Sequence, residues 1–172
     1  QFAKQCRFVV RINGAGSAIN DLISNDLMYM CDAVEFPGRS FGTTNVRYYG
    51  AGQVMPNNVE YGPCNLSFIC NNNGIERQFF DDWLEMINPT NTWDFRYPEE
   101  YYCEIQLFQL AEYGNEDSDK ATEPKATYQW SLYQAWPMQV NPQPANWVDP
   151  DVQRLTVTFC YRYWARPGRD TA

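Results

Sequence analysis

The 172-residue sequence predicts a mainly β protein: two antiparallel sheets forming a β-sandwich or partly closed barrel, one flanking α-helix at about 74–87 and a long extended arm at about 39–63. Three observations carry this. Most apolar runs alternate with polar residues, the period of a strand with one face buried. One segment alone repeats its apolar residues at helical spacing. Glycine- and proline-rich breaks separate the runs, without the strand–helix alternation of a parallel sheet. The length suits one domain over 1–172.

The elements follow in order. From Cys6 to Ile12, residues Phe8, Val10 and Ile12 point one way and Arg7, Val9 and Arg11 the other, before a break at Asn13–Ser17. Met28 to Phe36 reads as a second strand, stopped at Phe36-Pro37-Gly38. Residues 39–63 are polar and glycine-rich, hold Tyr48, Tyr49 and Tyr61, and suit an extended hairpin rather than a core strand. Cys64 to Cys70 is a strand with Leu66, Phe68 and Cys70 on one face. The helix, Gly74 to Ile87, places Ile75, Phe79, Phe80, Trp83, Leu84 and Ile87 on one side. Asn73 fits its N-cap, Glu76 the capping partner, and Asn88-Pro89 its end.

Trp93 to Tyr97 reads as a short edge strand. Tyr101 to Ala111 is a strand whose apolar face switches at Leu107-Phe108, which predicts a β-bulge there. Tyr113 to Lys125 is an acidic loop, Ala126 to Trp136 a strand, and Pro137 to Pro150 a proline-rich loop. Val152 to Trp164 is the cleanest strand, with Leu155, Val157, Phe159, Tyr161 and Tyr163 on one face and Arg154, Thr156, Thr158, Cys160 and Arg162 on the other. The sum is six or more strands around one helix.

Composition narrows function. The 13 Lys+Arg against 21 Asp+Glu give a charge of −8, which disfavours nonspecific binding to nucleic acid or to an anionic membrane surface. No apolar stretch approaches the length of a membrane-crossing helix, and no signal-peptide pattern is visible. There is no histidine, which excludes Ser-His-Asp and Cys-His catalysis and His-ligated zinc. Carboxylate-only hydrolysis survives, with Asp81, Asp82, Glu85, Glu99 and Glu100 as the available acids, but acids on a helix surface are usually a solvated face. Asp117-Ser118-Asp119 begins like a calcium loop but lacks the glycine and glutamate that complete one. Neither a cofactor nor a metal site is expected. The many aromatics fit core and interface packing, with sugar-stacking platforms as the alternative.

The six cysteines, Cys6, Cys31, Cys64, Cys70, Cys103 and Cys160, form no C-x-x-C pair. Cysteine is among the most buried residue types, which suits buried thiols in strands, and the even number permits disulfides, within or between subunits, whose pairing the sequence does not choose.

Taken in order, several segments resemble the tail tube proteins of contractile-tailed bacteriophages. These are Phe8–Ile12, Ala33–Gly38, Tyr48-Tyr49-Gly50, Leu66–Ile69, the helix with Phe79, Phe80 and Trp83, Leu132–Pro137 and the closing Leu155–Trp164. The resemblance implies a structural, non-enzymatic subunit. Such subunits form hexameric rings that stack into a hollow tube inside a contractile sheath and conduct DNA during ejection. The implied partners are other copies of the chain, the sheath, baseplate and terminator proteins, and DNA passing without specific binding, with no membrane. The implied setting is a virion tail assembled in the host cytoplasm. A baseplate tube-initiator ring or a type VI secretion tube would share the fold. A carbohydrate-binding β-sandwich is the alternative of a different class.

On this reading the arm residues Arg39, Val46, Arg47, Tyr48, Tyr49, Val54, Met55 and Tyr61 contact a neighbouring subunit or ring. The polar strand positions Glu104, Gln106, Arg154, Thr156 and Thr158 are candidates to face the lumen. Six chains at −8 each place about −48 on a ring, a charge that repels phosphates if the acids line the channel.

Overall fold

A computed structural model describes residues 5–14, 27, 29–111, 126–148 and 151–170. In chain order the elements are β1 (Phe8–Gly14), β2 (Cys31–Val34), β3 (Ser40–Val46), β4 (Gln53–Glu60), β5 (Cys64–Ile69), α1 (Ile75–Ile87), α2 (Pro98–Tyr101), β6 (Cys103–Leu110), β7 (Ala126–Val140), β8 (Arg154–Cys160) and β9 (Tyr163–Ala165). All pairings are antiparallel, in the order β1-β6-β7-β8-β5-β2, with β9 also on β7 and β3-β4 as a separate ribbon. The fold is the expected mainly β sandwich with a helix. Among the described residues the sheet does not close, so β1 and β2 end its strand order and short β9 is a further edge beside β7.

Strand β7 holds the two sections together. From Ala126 to Ala135 it pairs with β6, and from Trp136 to Val140 it pairs with β8. The change of partner coincides with a bulge: the register slips opposite Cys103–Ile105, and Gln134 takes φ 54. Inward residues of both sections, Ile12, Ile105, Leu107 and Leu132 on one and Leu66, Phe68, Val157 and Phe159 on the other, join one buried cluster. Helix α1 closes this cluster with its aromatic stripe. Phe80 lies 5.1 Å from Phe68 and Trp83 6.0 Å from Phe159, ring centre to ring centre. The Trp83 indole N–H donates to the Tyr101 carbonyl at 3.1 Å, which satisfies the buried donor and ties α2 to α1.

Several elements differ from expectation. Strand β2 covers only Cys31–Val34 of the expected 28–36. Trp93–Tyr97 is not a strand: Trp93 takes φ 59 and donates to the Pro89 carbonyl, and Arg96 donates to Ile87, so this backbone caps the end of α1. The N-cap is Gly74 at φ 63 rather than Asn73, because a left-handed entry suits glycine. Buried Glu76 does reach back, accepting from the Asn71 backbone N–H at 3.1 Å.

Strand β6 keeps its inward parity through Leu107, and its slips flank the strand at 103–105 and 109–110 instead of falling at the apolar switch. Strand β7 runs on through Pro137 to Val140, where a loop was expected, because the ladder slips after Pro137 and spares its missing N–H. The expected 152–164 strand is two: it breaks after Cys160, and Tyr163 turns outward. Helix α2 was not expected, although Pro98 at its start and Glu99-Glu100 in its first turn are helix-entry signals. The 113–125 acidic loop, with its calcium-like triplet, lies outside the described residues, as does most of the break after Asn13.

Candidate assembly surfaces

The arm is the β3–β4 hairpin. Its register runs from Ser40↔Glu60 to Val46↔Gln53, and the chain reverses over 47–52 with Gly50 at φ 79. No core lies behind it: all eight residues of β4 are exposed. Such a ribbon is marginal on its own, so its root matters. The Trp164 indole N–H donates to the Gly38 carbonyl at 3.2 Å, bridging 126 residues of sequence. The Arg39 guanidinium lies 5.4 Å from the Phe41 ring centre and 5.7 Å from that of Trp164. Tyr61 packs edge-on against Tyr161 and Trp164, and Phe36 stacks on Trp130 at 4.5 Å. The root is therefore fixed while the shaft projects. Along the shaft Phe41, Val54, Met55 and Val59 are exposed, and at the tip Tyr48 and Tyr49 are 94% and 99% exposed. Of the predicted arm residues, Arg39, Arg47, Tyr48, Tyr49, Val54 and Met55 are exposed, whereas Val46 and Tyr61 are half-buried.

The polar strand candidates form two patches on different sections of the sheet. On β6, Gln106 donates to Glu104 at 3.1 Å; across the β1 ladder, Gln106 faces Arg11 and Glu104 faces Asn13. On β8, Arg154 pairs with Asp32 of β2 at 2.7 Å, which holds its guanidinium protonated beyond the usual range. Thr158 donates to Asn65 at 2.8 Å, Asn65 donates to Glu35 at 2.7 Å, and Thr156 lies opposite Ser67. Each patch mixes acid with base. Among the described residues six exposed acids lie on and around α1 and α2, Asp81, Asp82, Glu85, Asp94, Glu99 and Glu100, and four lie elsewhere, Glu35, Glu60, Asp151 and Asp170. Arg77 and Arg96 answer two of them, Asp81 and Glu100.

All six cysteines are free thiols, so no bridge forms within the chain, contrary to the disulfide option that their even number left open. Cys64 and Cys103 are buried, Cys31, Cys70 and Cys160 are partly buried, and Cys6 is exposed. Burial pushes the Cys31 and Cys64 thiols up to about 12, helped by the neighbouring carboxylates of Asp32 and Glu35. The two buried thiols donate to backbone carbonyls, Cys64 to Glu35 at 3.1 Å and Cys103 to Ala135 at 3.2 Å.

A sequence profile described as phage tail tube protein matches residues 3–167. The chain belongs to that family. No curated protein sequence matches it. Its structure is similar to a chain of the PVC sheath–tube complex, an extracellular contractile injection system in the extended state, with 15% identity, 96% of this chain and 90% of the other covered, and a TM-score of 0.65. A chain of the sheath/tube terminator of that system is similar at 14% identity, 96% of each chain covered and a TM-score of 0.66. A chain of the anti-feeding prophage baseplate is similar at 16% identity, 99% of each covered and a TM-score of 0.64. At such identities the likeness shows the fold.

Tail tube proteins are structural proteins, not enzymes, and the family match displaces the hydrolase reading. In a tail tube protein the exposed apolar side chains acquire a meaning that composition alone lacked. Phe41 and Val59 belong with the arm residues already singled out, and Trp93, Phe95, Tyr97 and Trp147 are further exposed aromatics outside it. The sequence reading placed Trp93–Tyr97 in an edge strand and Trp147 in the proline-rich loop and singled out none of the four as a contact residue, because local pattern does not say which aromatics a neighbour will cover.

Proposed function

We propose that the chain is the ring subunit of a contractile tail's tube. Six copies close into a ring, rings stack into a hollow tube inside a sheath, and DNA passes through the lumen during ejection. The observation that carries this reading is the arm: a hairpin fixed at its root by Trp164 and Arg39, with an exposed apolar shaft and a two-tyrosine tip. Exposed apolar surface of this kind marks an interaction site. The open edges β1 and β2 add to it, since ring closure would pair or cover both.

Sheath, baseplate and terminator proteins are the further partners, and the particle tail is the final location, with assembly in the host cytoplasm. The polar faces of β6 and β8 are the proposed lumen wall, with Glu104, Gln106, Arg154, Thr156 and Thr158 facing the channel. Mixed charges there give DNA a hydrated surface without clustered cations to hold its phosphates. A tube-initiator ring of the baseplate would use the same contacts within a ring but would not polymerise.

Negative-stain electron microscopy of the purified chain, with its mass in solution, tests this. Six-fold rings of about six times 20.1 kDa are expected, stacking into hollow filaments at high concentration. Single rings that never stack would point to the initiator. A strict monomer at high concentration, with a baseplate ring supplied as nucleus, would overturn the reading.

A further inference from the structure

Trp147 is the most exposed large apolar side chain among the described residues, at 105%. It lies in the 141–153 connection between β7 and β8, whose sequence holds Asp149 and Asp151 and no lysine or arginine. The base of this loop is fastened: the Gln143 amide donates to Cys70 Sγ at 2.9 Å and to the Arg154 carbonyl at 3.4 Å. Asn146 Oδ1 accepts from the Val148 N–H at 3.1 Å, a local turn around Trp147. The indole is thus presented on a built loop with none of the described residues over it.

At the other end of β7, Ala126–Gln129 line a depression of about 170 Å³ together with Arg166, Pro167 and Arg169. This is smaller than a ligand pocket and on the order of the space one aromatic ring fills. Tyr128 is its aromatic element. The Arg169 guanidinium lies 5.6 Å from the Tyr128 ring centre. Arg166 donates to the Tyr128 hydroxyl at 3.3 Å and is held by Asp170. Three of the chain's 13 basic residues, Arg162, Arg166 and Arg169, fall in this short C-terminal stretch.

We propose that the Trp147 loop of one copy inserts into the Tyr128–Arg166–Arg169 depression of the next copy. The knob and the hole flank opposite ends of one strand, so the contact is head-to-tail and, made between rings, continues from one ring to the next. An indole against guanidinium and phenol planes gains from stacking and cation–π attraction. An acidic loop meeting an arginine-rich end is matched in charge. The contact rests on the tube reading and adds to the arm a second tie between copies.

The test uses the full chain with p-benzoylphenylalanine at position 147, irradiated at a concentration where the unmodified chain associates, and mass spectrometry of the crosslinked peptides. Crosslinks to 126–129 or 166–169 of a second copy are expected. Trp147→Ala is expected to weaken stacking at least tenfold while rings still form and the melting temperature holds, because the side chain is fully exposed in the single chain. Trp147→Phe keeps most of the stacking. Crosslinks to any other surface, or a Trp147→Ala variant that stacks like the parent, overturn the proposal and leave the tube reading standing. A chain that never associates overturns both.

Discussion

Cys103 shows what the thiols do at the scale of a single residue. It is buried at the head of β6, its Sγ on the Ala135 carbonyl, with the Glu104 carboxylate next in sequence, and burial first and that charge second hold it protonated. Cys31 and Cys64 behave alike, up to about 12 against an ordinary 9.0. Their folded values are raised, so the stability they contribute is fully present below pH 9. It is lost as pH climbs from about 9 toward 12, because the unfolded chain gives up these protons first. Tyr161, also pushed up to about 12, steepens the same limb. Urea melts at pH 8, 10 and 11 are expected to show falling midpoints, with a shallower fall for Cys64→Ala. Under native conditions near pH 8, alkylation is expected at exposed Cys6 first and at Cys64 and Cys103 only on unfolding. Fast labelling of Cys103 in the folded chain would contradict this placement. The sequence reading of thiols buried in strands rested on the general burial of cysteine and holds fully for Cys64 and Cys103, which share the inward period of Leu66, Phe68, Ile105 and Leu107, but not for exposed Cys6.

At the scale of elements, legibility followed the range of the forces involved. The apolar stripe of α1 is local and repeats every turn, so its extent was readable to within a residue. The Gln134 bulge, the passage of β7 through Pro137 and the break after Cys160 depend on which strand lies alongside, which no local period encodes. The arm divides the same way. Its extended, glycine-rich character was legible, but its anchors were not, because Trp164 meets Gly38 and Arg39 only after folding. This split yields a prediction. Tyr48→Ser with Tyr49→Ser alters a tip that packs on nothing in the chain, and surface changes of that kind cost within about 0.5 kcal/mol. The doubly substituted chain is expected to melt like the parent and to lose ring or stack association by tenfold or more. Trp164→Ala removes the root, so both stability and assembly should fall. Calorimetry with sedimentation velocity separates the two: a tip variant that assembles normally would remove the arm from the interface.

For the whole molecule, the charge and the open sheet bear on the same event. The chain carries −8, and six of its described exposed acids lie on and around α1 and α2. Copies repel through this net charge, and salt screens that repulsion over about 10 Å at 0.1 M. Association must therefore come from contacts made at short range, of which β1 and β2 offer the backbone kind. Among the described residues each has one ladder neighbour, β6 for β1 and β5 for β2, and so residues 8–13 and Cys31–Val34 present an open edge on the other side. In the isolated chain the outer amides of residues 8–13 and of Cys31–Val34 are expected to exchange hydrogen quickly, whereas β8, between β7 and β5, stays protected. On assembly the edge amides should slow by orders of magnitude if rings close strand to strand, while β8 changes little. Hydrogen-exchange mass spectrometry of monomer and assembled fractions reads this directly. Edges that stay fast in an assembled ring would mean that side chains of the arm and the exposed aromatics hold the ring, with no continuous sheet between copies.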